Sequence, residues 1–173
     1  MTSSLARKCG ARIFSKITTP EEAVKFIKDG DFILSGGFGI CGNPNTMIKQ
    51  IIASDIRDIT VASNNAGLED YGVGLLLHEG RVKRMFSSYV GGNEDFKRRY
   101  LEGLLEVEFT PQGTLAEKIR SGGKGIPAFW TPTGTNSAVE TGGFPIKYKP
   151  GGKEVEILSS PKETRIFKGS ELF

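Results

Sequence analysis

Three segments of the sequence carry uncharged hydrogen-bond donors that could hold an acid. They are the glycine-rich run 36–44, the run 63–67 and the run 110–114. Amide side chains and free backbone N–H groups can bind a carboxylate, or the oxyanion that forms in acyl transfer, without placing a charged group beside it. Each run alone is also typical of an ordinary turn. Because all three follow short apolar segments, we interpret them together as one site.

The donors in these runs come from backbone and from amide side chains. In the first run Gly37, Phe38 and Gly39 follow an apolar segment, and glycine leaves the backbone open to a substrate. We expect Asn43 to cap the following helix, with Pro44 in its first turn. The second and third runs supply amide side chains, and the residues are Asn64, Asn65 and Gln112.

A dinucleotide site is the main alternative for the glycine-rich run, because Gly37-x-Gly39-x-x-Gly42 fits the spacing of that fingerprint. The fingerprint also needs an acidic residue at the end of the second strand, about 20 residues further on, to hold a ribose. The second strand instead ends in Ser63-Asn64-Asn65, which disfavours this alternative. A phosphate-binding P-loop fails because no Gly-Lys-Ser/Thr closes the run.

The elements that must position these runs alternate along the chain. Helix-capping patterns and apolar periodicity predict helices at 20–28, 44–54, 70–77, 93–102 and 114–120. Apolar runs predict strands at 31–35, 59–63, 82–88, 105–109 and 127–131, the first of them buried. Short strands are expected beyond residue 145, with 155–158 and 164–167 as neighbours. Alternation of this kind predicts a parallel sheet, in which ligands bind at the carboxyl ends of the strands.

The composition excludes several classes of function. At 173 residues the chain has the size of one domain, and its net charge of +3 comes from four basic residues that precede the first acid, Glu21. No basic stripe with interleaved aromatic residues is present, so no nucleic-acid partner is expected. There is no apolar run of about 18 residues, so no membrane span is expected. The two cysteines form neither a disulfide framework nor a metal-binding spacing, so no metal is expected.

The first sixteen residues are basic, rich in hydroxyl groups and free of acids. This composition is typical of a mitochondrial transit peptide, and it predicts import into the mitochondrial matrix with the domain proper at 17–173. An ordinary basic terminus is the alternative.

Several motifs together resemble the type I coenzyme A transferase family over residues 17–173. They are Gly36-Gly37-Phe38-x-x-x-Gly42-x-Pro44, Ser63-Asn64-Asn65-Ala66-Gly67, Ser87-Ser88-Tyr89-Val90-Gly91, Thr110-Pro111-Gln112-Gly113-Thr114-Leu115-Ala116-Glu117, Pro127-Ala128-Phe129 and Thr131-Pro132-Thr133-Gly134. The resemblance implies a three-layer α/β fold with a mainly parallel sheet and a β-rich C-terminal part.

The resemblance also implies an activity, the transfer of coenzyme A (CoA) from succinyl-CoA to a 3-oxoacid, acetoacetate. The route is a ping-pong reaction through an enzyme glutamyl-CoA thioester, with CoA thioesters as substrates and no permanently bound cofactor. By similarity Gln112 contacts the oxyanion or the substrate carboxylate, and Asn64 and Asn65 line the same pocket. Gly37, Phe38 and Gly39 are the expected substrate-binding backbone.

One departure from the family pattern is an absence. The nucleophilic glutamate of the family lies in a Ser-Glu-Asn-Gly motif of the second half, and this sequence contains no such motif. The chain is therefore expected to be the first, A-type half, incomplete at its C-terminus and inactive alone. Its expected partner is a B-type second half, in a homodimer when full length. The alternatives are a binding or regulatory partner without a nucleophile, and a sugar-phosphate isomerase, which lacks its Lys/Arg phosphate clamp here.

Overall fold

The computed structural model describes residues 16–173. The predicted transit peptide, apart from its last residue, lies outside the described residues. In the rest of the chain, four strands alternate with helices and pair in parallel in chain order, β1-β2-β3-β4. The strands are β1 (Phe32–Leu34), β2 (Ile59–Ala62), β3 (Val82–Ser87) and β4 (Glu106–Phe109).

Helices join the strands and then lead into a smaller β-rich part. The helices are α1 (Pro20–Ala23), α2 (Asn45–Ala53), α3 (Val73–His78), α4 (Glu94–Leu101), α5 (Gln112–Lys124) and α6 (Ala138–Thr141). Two antiparallel pairs complete the chain, β5 (Pro145–Tyr148) with β6 (Val155–Leu158), and β7 (Arg165–Phe167) with β8 (Ser170–Leu172). The predicted α/β class, with a mainly parallel sheet and a β-rich C-terminal part, is confirmed.

One face of the parallel sheet forms the core. Ile33, Val61, Met85 and Val107 are register partners across the four strands, and the last three are fully buried. Buried side chains of α2, α3 and α4 belong to the same hydrophobic cluster, among them Ile48, Leu76 and Phe96. Burial of a large apolar side chain contributes about 1.5–3 kcal/mol, so this cluster is the main source of stability.

The outer face of the sheet is polar at one end and apolar at the other. Next to β4, Arg84 lies 2.7 Å from Glu108 and over the ring of Phe86. At the β1 end Phe32 and Leu34 are 59% and 54% exposed. The prediction of a buried first strand is therefore wrong for this face, because β1 is the end strand of the sheet and the ring of Phe86, whose centroid lies 5.6 Å from that of Phe32, covers only part of it.

Several predicted boundaries are wrong. Thr19 does cap α1 by accepting from the Glu22 N–H, but the helix ends at Ala23 and a 3-10 turn, Val24–Phe26, replaces the rest. Ile27 is extended instead, with its side chain packed against the core, so tertiary packing outweighs helix propensity there. The segment 127–131 is not a strand, because only Thr131 finds a partner, exchanging two backbone hydrogen bonds with Phe173.

One predicted strand pairing and one predicted helix boundary also fail. The segments predicted at 155–158 and 164–167 do form strands, but each pairs with a different strand and not with the other. Helix α5 begins at Gln112, two residues earlier than predicted, and runs to Lys124. This places Gln112 in the first turn of a helix at the carboxyl end of β4.

Candidate active site

The three donor-bearing runs lie at one edge of the sheet. Because β1, β2 and β4 are parallel, the residues that follow them emerge at the same edge. We call residues 35–44 the glycine loop and residues 63–72 the amide loop. The run that follows β4 leads directly into α5.

Gln112 is the centre of a small cluster of amide and hydroxyl groups. Its carboxamide oxygen accepts a hydrogen bond from Asn64 Nδ2 at 2.9 Å and a second from Ser88 Oγ at 2.7 Å. The three residues come from the ends of β2 and β3 and from the start of α5. The side-chain N–H groups of Gln112 have no partner in residues 16–173, so they remain available to a ligand. The structure therefore brings together the predicted residues Asn64 and Gln112.

Backbone contacts hold this cluster in place. The carbonyl oxygen of Asn64 accepts from the backbone N–H groups of Ser88 and Tyr89 at 3.0 and 3.1 Å. The buried hydroxyl of Ser87 donates to the same oxygen at 2.9 Å. Three donors on one carbonyl tie the amide loop to the end of β3, so Asn64 and Ser88 keep a fixed distance from each other.

Asn65 has a different role from its neighbour. Its side-chain oxygen accepts from the Gly67 N–H at 3.1 Å, within the amide loop. Gly67 has a φ of +74°, and a Cβ there would lie 2.5 Å from the carbonyl oxygen of Tyr71. Asn65 thus shapes the tight start of a hairpin in which Leu68 pairs with Tyr71. In residues 16–173 no hydrogen bond joins its side chain to the Gln112 cluster.

The glycine loop is built on the same plan. Phe38 pairs with Cys41 around a two-residue turn, and Phe38 is 73% exposed at its tip. Asn43 donates from Nδ2 to the carbonyl oxygen of Gly39 at 3.0 Å. The predicted cap at Asn43 is therefore wrong, because its side chain is used within the loop and the cap position of α2 falls on Pro44.

Asn43 also joins the two loops. A Cβ added at Gly37 would lie 2.6 Å from Asn43 Oδ1, and one added at Gly72 would lie 2.5 Å from the same atom. The carboxamide therefore lies against both glycines, one in each loop. This contact links the loop holding Gly37, Phe38 and Gly39 to the amide loop, although no hydrogen bond connects it to Gln112 in residues 16–173.

The cluster contains no formal charge. Gln112, Asn64 and Ser88 are hydrogen-bonded to uncharged groups only in the described part of the chain. No group of three or more His, Cys, Asp or Glu side chains in residues 16–173 could hold a metal ion. Such a cluster can orient a carboxylate or stabilise an oxyanion, and it contains no carboxylate side chain.

Sequence reasoning missed two residues of this edge. Ser88 lies in the motif 87–91 that carries the family resemblance, but no role is assigned to it there, and Asn43 has the sequence context of a helix cap. A hydroxyl at the carboxyl end of a strand between two donor-bearing loops is the available signal for Ser88. No signal in the sequence indicates that Asn43 contacts glycines in two loops.

Among the described residues no helix is both long and apolar enough to cross a membrane.

Paired charges lie outside the Gln112 cluster, as in α4, where burial alone would raise the pKa of Asp95. Hydrogen bonds from Arg99 and Arg98 outweigh burial and hold that pKa below its usual value.

Comparison with known proteins identifies related sequences and folds. A sequence model of the family described as Coenzyme A transferase matches residues 17–169. The mitochondrial succinyl-CoA:3-ketoacid coenzyme A transferase 2A of Rattus norvegicus is 46% identical over 162 residues, which are 94% of this chain and 31% of that protein. The probable A subunit of succinyl-CoA:3-ketoacid coenzyme A transferase from Mycobacterium tuberculosis is 48% identical over 153 residues, 88% of this chain and 61% of that protein.

The fold is shared with solved coenzyme A transferases. An acyl-CoA transferase from Escherichia coli O157:H7, solved as a thioester complex with CoA, superimposes with a TM-score of 0.64 at 20% identity. The match covers 90% of this chain and 31% of that one. The chain therefore spans about a third of its mitochondrial relative and less than two thirds of its bacterial one. Given the family match over most of its length, the chain belongs to the coenzyme A transferase family.

Proposed function

We propose that this chain supplies the A-type half of an active site that transfers CoA from succinyl-CoA to acetoacetate. The observation that carries the proposal is the uncharged cluster of Gln112, Asn64 and Ser88 at the carboxyl edge of the sheet. The acceptor, acetoacetate, and the released product, succinate, are both acids, so a site with donors and no neighbouring carboxylate suits them. The names of the rat and mycobacterial relatives support succinyl-CoA and a 3-ketoacid as the substrate classes.

The first half-reaction begins when a glutamate of the second half attacks the thioester carbonyl of succinyl-CoA. The carbon–sulfur bond breaks, CoA leaves as a thiolate, and a mixed anhydride joins the succinyl group to the glutamate. The thiolate then attacks the glutamyl carbonyl, the bond to the succinyl oxygen breaks, and succinate leaves. The enzyme now holds a glutamyl-CoA thioester, a covalent intermediate that divides the transfer into two steps.

The second half-reaction reverses these steps with the other acid. The acetoacetate carboxylate attacks the glutamyl thioester, CoA leaves and returns to the acetoacetyl carbonyl, and acetoacetyl-CoA forms as the glutamate is released. Each attack on a carbonyl produces an oxyanion. We assign the free N–H groups of Gln112 to this oxyanion or to the acid carboxylate, because hydrogen-bond donors fixed before the reaction need no reorganisation.

The remaining site residues have supporting roles in this proposal. Asn64 and Asn65 line the pocket, the first through its contact with Gln112 and the second by shaping the amide loop. Gly37, Phe38 and Gly39 present backbone on the adjoining loop. CoA enters as a substrate thioester and not as a resident cofactor.

The nucleophile is supplied in this proposal by a B-type second half. The mycobacterial relative is named as the A subunit of its enzyme, which supports a partner of this type. We further propose that the full-length protein is a homodimer located in the mitochondrial matrix, as the name of the rat relative supports for the organelle. Fusing residues 1–16 to a reporter and measuring its import tests the location, and a reporter that stays outside mitochondria would contradict it.

Reconstitution tests the central proposal. The chain is co-expressed with a second-half polypeptide that carries Ser-Glu-Asn-Gly, and formation of acetoacetyl-CoA from succinyl-CoA and acetoacetate is measured. We expect activity from the pair and none from either half alone. The matched control replaces the glutamate of that motif by glutamine in the second half, which should abolish transfer while the two halves still associate.

Other outcomes separate the alternatives. Association without activity would favour a binding or regulatory partner that lacks a nucleophile. Interconversion of sugar phosphates by the chain would favour the isomerase. Transfer of CoA by this chain alone would show that it contains a nucleophile and would overturn the division of the site between two halves.

A further inference from the structure

We propose that Ser88 is a positioning residue, which holds the carboxamide of Gln112 so that its N–H groups face the acid substrate. The inference rests on the function proposed above and deepens it. It starts from one atom, the carboxamide oxygen of Gln112, which accepts from both Ser88 Oγ and Asn64 Nδ2. Both lone pairs of that oxygen are then in use, and both N–H groups of Gln112 are left for the ligand.

The direction of the hydrogen bonds matters for an anionic ligand. A carboxamide turned by about 180° would present its oxygen to the acid, and two oxygens carrying negative charge repel each other. In the observed arrangement, Ser88 and Asn64 donate to Gln112, and Gln112 can donate to the acid, so every bond points the same way. Aligned hydrogen bonds polarise one another, which strengthens the donors that face the ligand.

Ser88 is itself held firmly. Its backbone N–H donates to the carbonyl oxygen of Asn64 at 3.0 Å. The hydroxyl of the neighbouring, buried Ser87 donates to the same oxygen. The two consecutive serines at the end of β3 therefore form hydrogen bonds with different parts of the site. Ser87 ties the loops together, while the half-buried Ser88 faces Gln112.

Asn64 alone would leave Gln112 loosely held. Gln112 is exposed on the first turn of α5, and Pro111 at the cap position makes no side-chain hydrogen bond to that turn. A single hydrogen bond to an exposed amide allows the group to rotate about that bond. The second anchor, from a different strand end, removes this freedom, so loss of the Ser88 hydroxyl should weaken binding of the acid.

A double-mutant cycle in the reconstituted two-half enzyme tests the inference. We expect Ser88→Ala to raise the KM for acetoacetate about fivefold, the size of one neutral hydrogen bond, with a smaller change in kcat. Gln112→Ala should lower kcat/KM further. Ser88→Ala added to Gln112→Ala should then have no additional effect, because the group it positions is gone.

Two controls separate positioning from folding. Ser88→Thr restores a hydroxyl and should recover most of the wild-type KM. Ser54→Ala removes a hydroxyl at the end of α2 opposite the glycine loop, which donates to the carbonyl oxygen of Ile51, and should leave the KM for acetoacetate within about twofold. Thermal unfolding of every variant shows whether the fold is intact.

The possible results discriminate between this inference and the proposed function. If Gln112→Ala impairs transfer but Ser88→Ala does not, or if the two effects multiply, the positioning role is wrong while the function stands. If the reconstituted wild-type enzyme shows no CoA transfer, the proposed function is wrong and the positioning role falls with it.

Discussion

The glycine loop and the amide loop share a backbone plan but use their asparagines differently. Both follow a parallel strand and both form a two-residue hairpin, Phe38 with Cys41 and Leu68 with Tyr71. In the glycine loop the asparagine follows the hairpin and turns back onto Gly39. In the amide loop Asn64 precedes the hairpin and reaches out to α5.

The comparison teaches that Asn43 and Asn64 differ because one follows its hairpin and the other comes almost directly after its strand. An amide after the hairpin lies between the two loops and holds them together, as Asn43 does. Asn64 lies close to the end of β2, where Ser88 from the end of β3 and Gln112 from α5 also present their side chains. Asn43 therefore supports the site while Asn64 contributes to it, and the following variants test this division.

The largest effect is expected from Gly74→Ala, which should displace the amide hairpin and also press on the side chain of Asn93, the cap of α4. A Cβ at Gly74 would lie 1.7 Å from the carbonyl oxygen of Leu68, so the hairpin must move away from α3. We expect a loss of about 3 kcal/mol or more in the free energy of unfolding, measured by urea denaturation.

Gly122→Ala is the matched control, because it is also a helical glycine but has nothing within 4 Å of its Cβ position. It should stabilise the protein by up to about 1 kcal/mol through higher helix propensity. Equal effects of the two substitutions would contradict the close contact between α3 and the amide hairpin.

The next effect, on activity, should separate the two neighbouring asparagines of the amide loop. In the reconstituted enzyme Asn64→Ala removes one of the two donors to Gln112 and should lower kcat/KM for acetoacetate about tenfold, or about 1.4 kcal/mol. Asn65→Ala removes a bond to Gly67 within the loop and should act mainly on thermal stability. A larger loss of kcat/KM in Asn65→Ala would reverse the roles assigned here.

A smaller effect is expected from Asn43→Ala in the glycine loop. The substitution removes the hydrogen bond to Gly39 and the contact with Gly72, and should lower the free energy of unfolding by about 1 kcal/mol. Hydrogen exchange should increase in both loops, because Asn43 touches both. Faster exchange confined to the glycine loop would show that Asn43 does not join them.

The smallest effect is expected in how the free energy of unfolding depends on pH, and it concerns Asp95, which lies outside both loops. The pKa of Asp95 is held below its ordinary value of 3.8, so its ionised form contributes stability that is present above pH 3.8. This contribution should disappear as the pH falls through the lowered pKa. Asp95→Asn should therefore reduce the slope of the free energy of unfolding against pH below pH 3.8. An unchanged slope would contradict the contribution of this carboxylate.

The sequence is most informative where local pattern and topology agree. Alternating apolar runs and helix caps predict where the four parallel strands lie along the chain, and parallel pairing then requires their following residues to meet at one edge. That rule places Asn64 and Gln112 near each other without any knowledge of their rotamers. The hydrogen bond between them is a detail that only the structure supplies.

The predictions fail where a contact with a residue distant in sequence determines the local structure. The segment 127–131 has the composition of a strand, but a strand needs a neighbour along its length and only Thr131 has one. Ile27 leaves a well-capped helix because its side chain is needed against the core. Ser88 and Asn43 escape prediction for the same reason, since their contacts join segments that are far apart in sequence.

The position of Asn43 between Gly37 and Gly72 constrains how these loops can be exchanged between family members. A methyl group at either glycine would collide with the carboxamide, and a shorter residue at 43 would leave both glycines facing a gap. The residues at these three positions must therefore be changed together. A chimera that takes one loop from a relative lacking this trio must take the other loop from the same source.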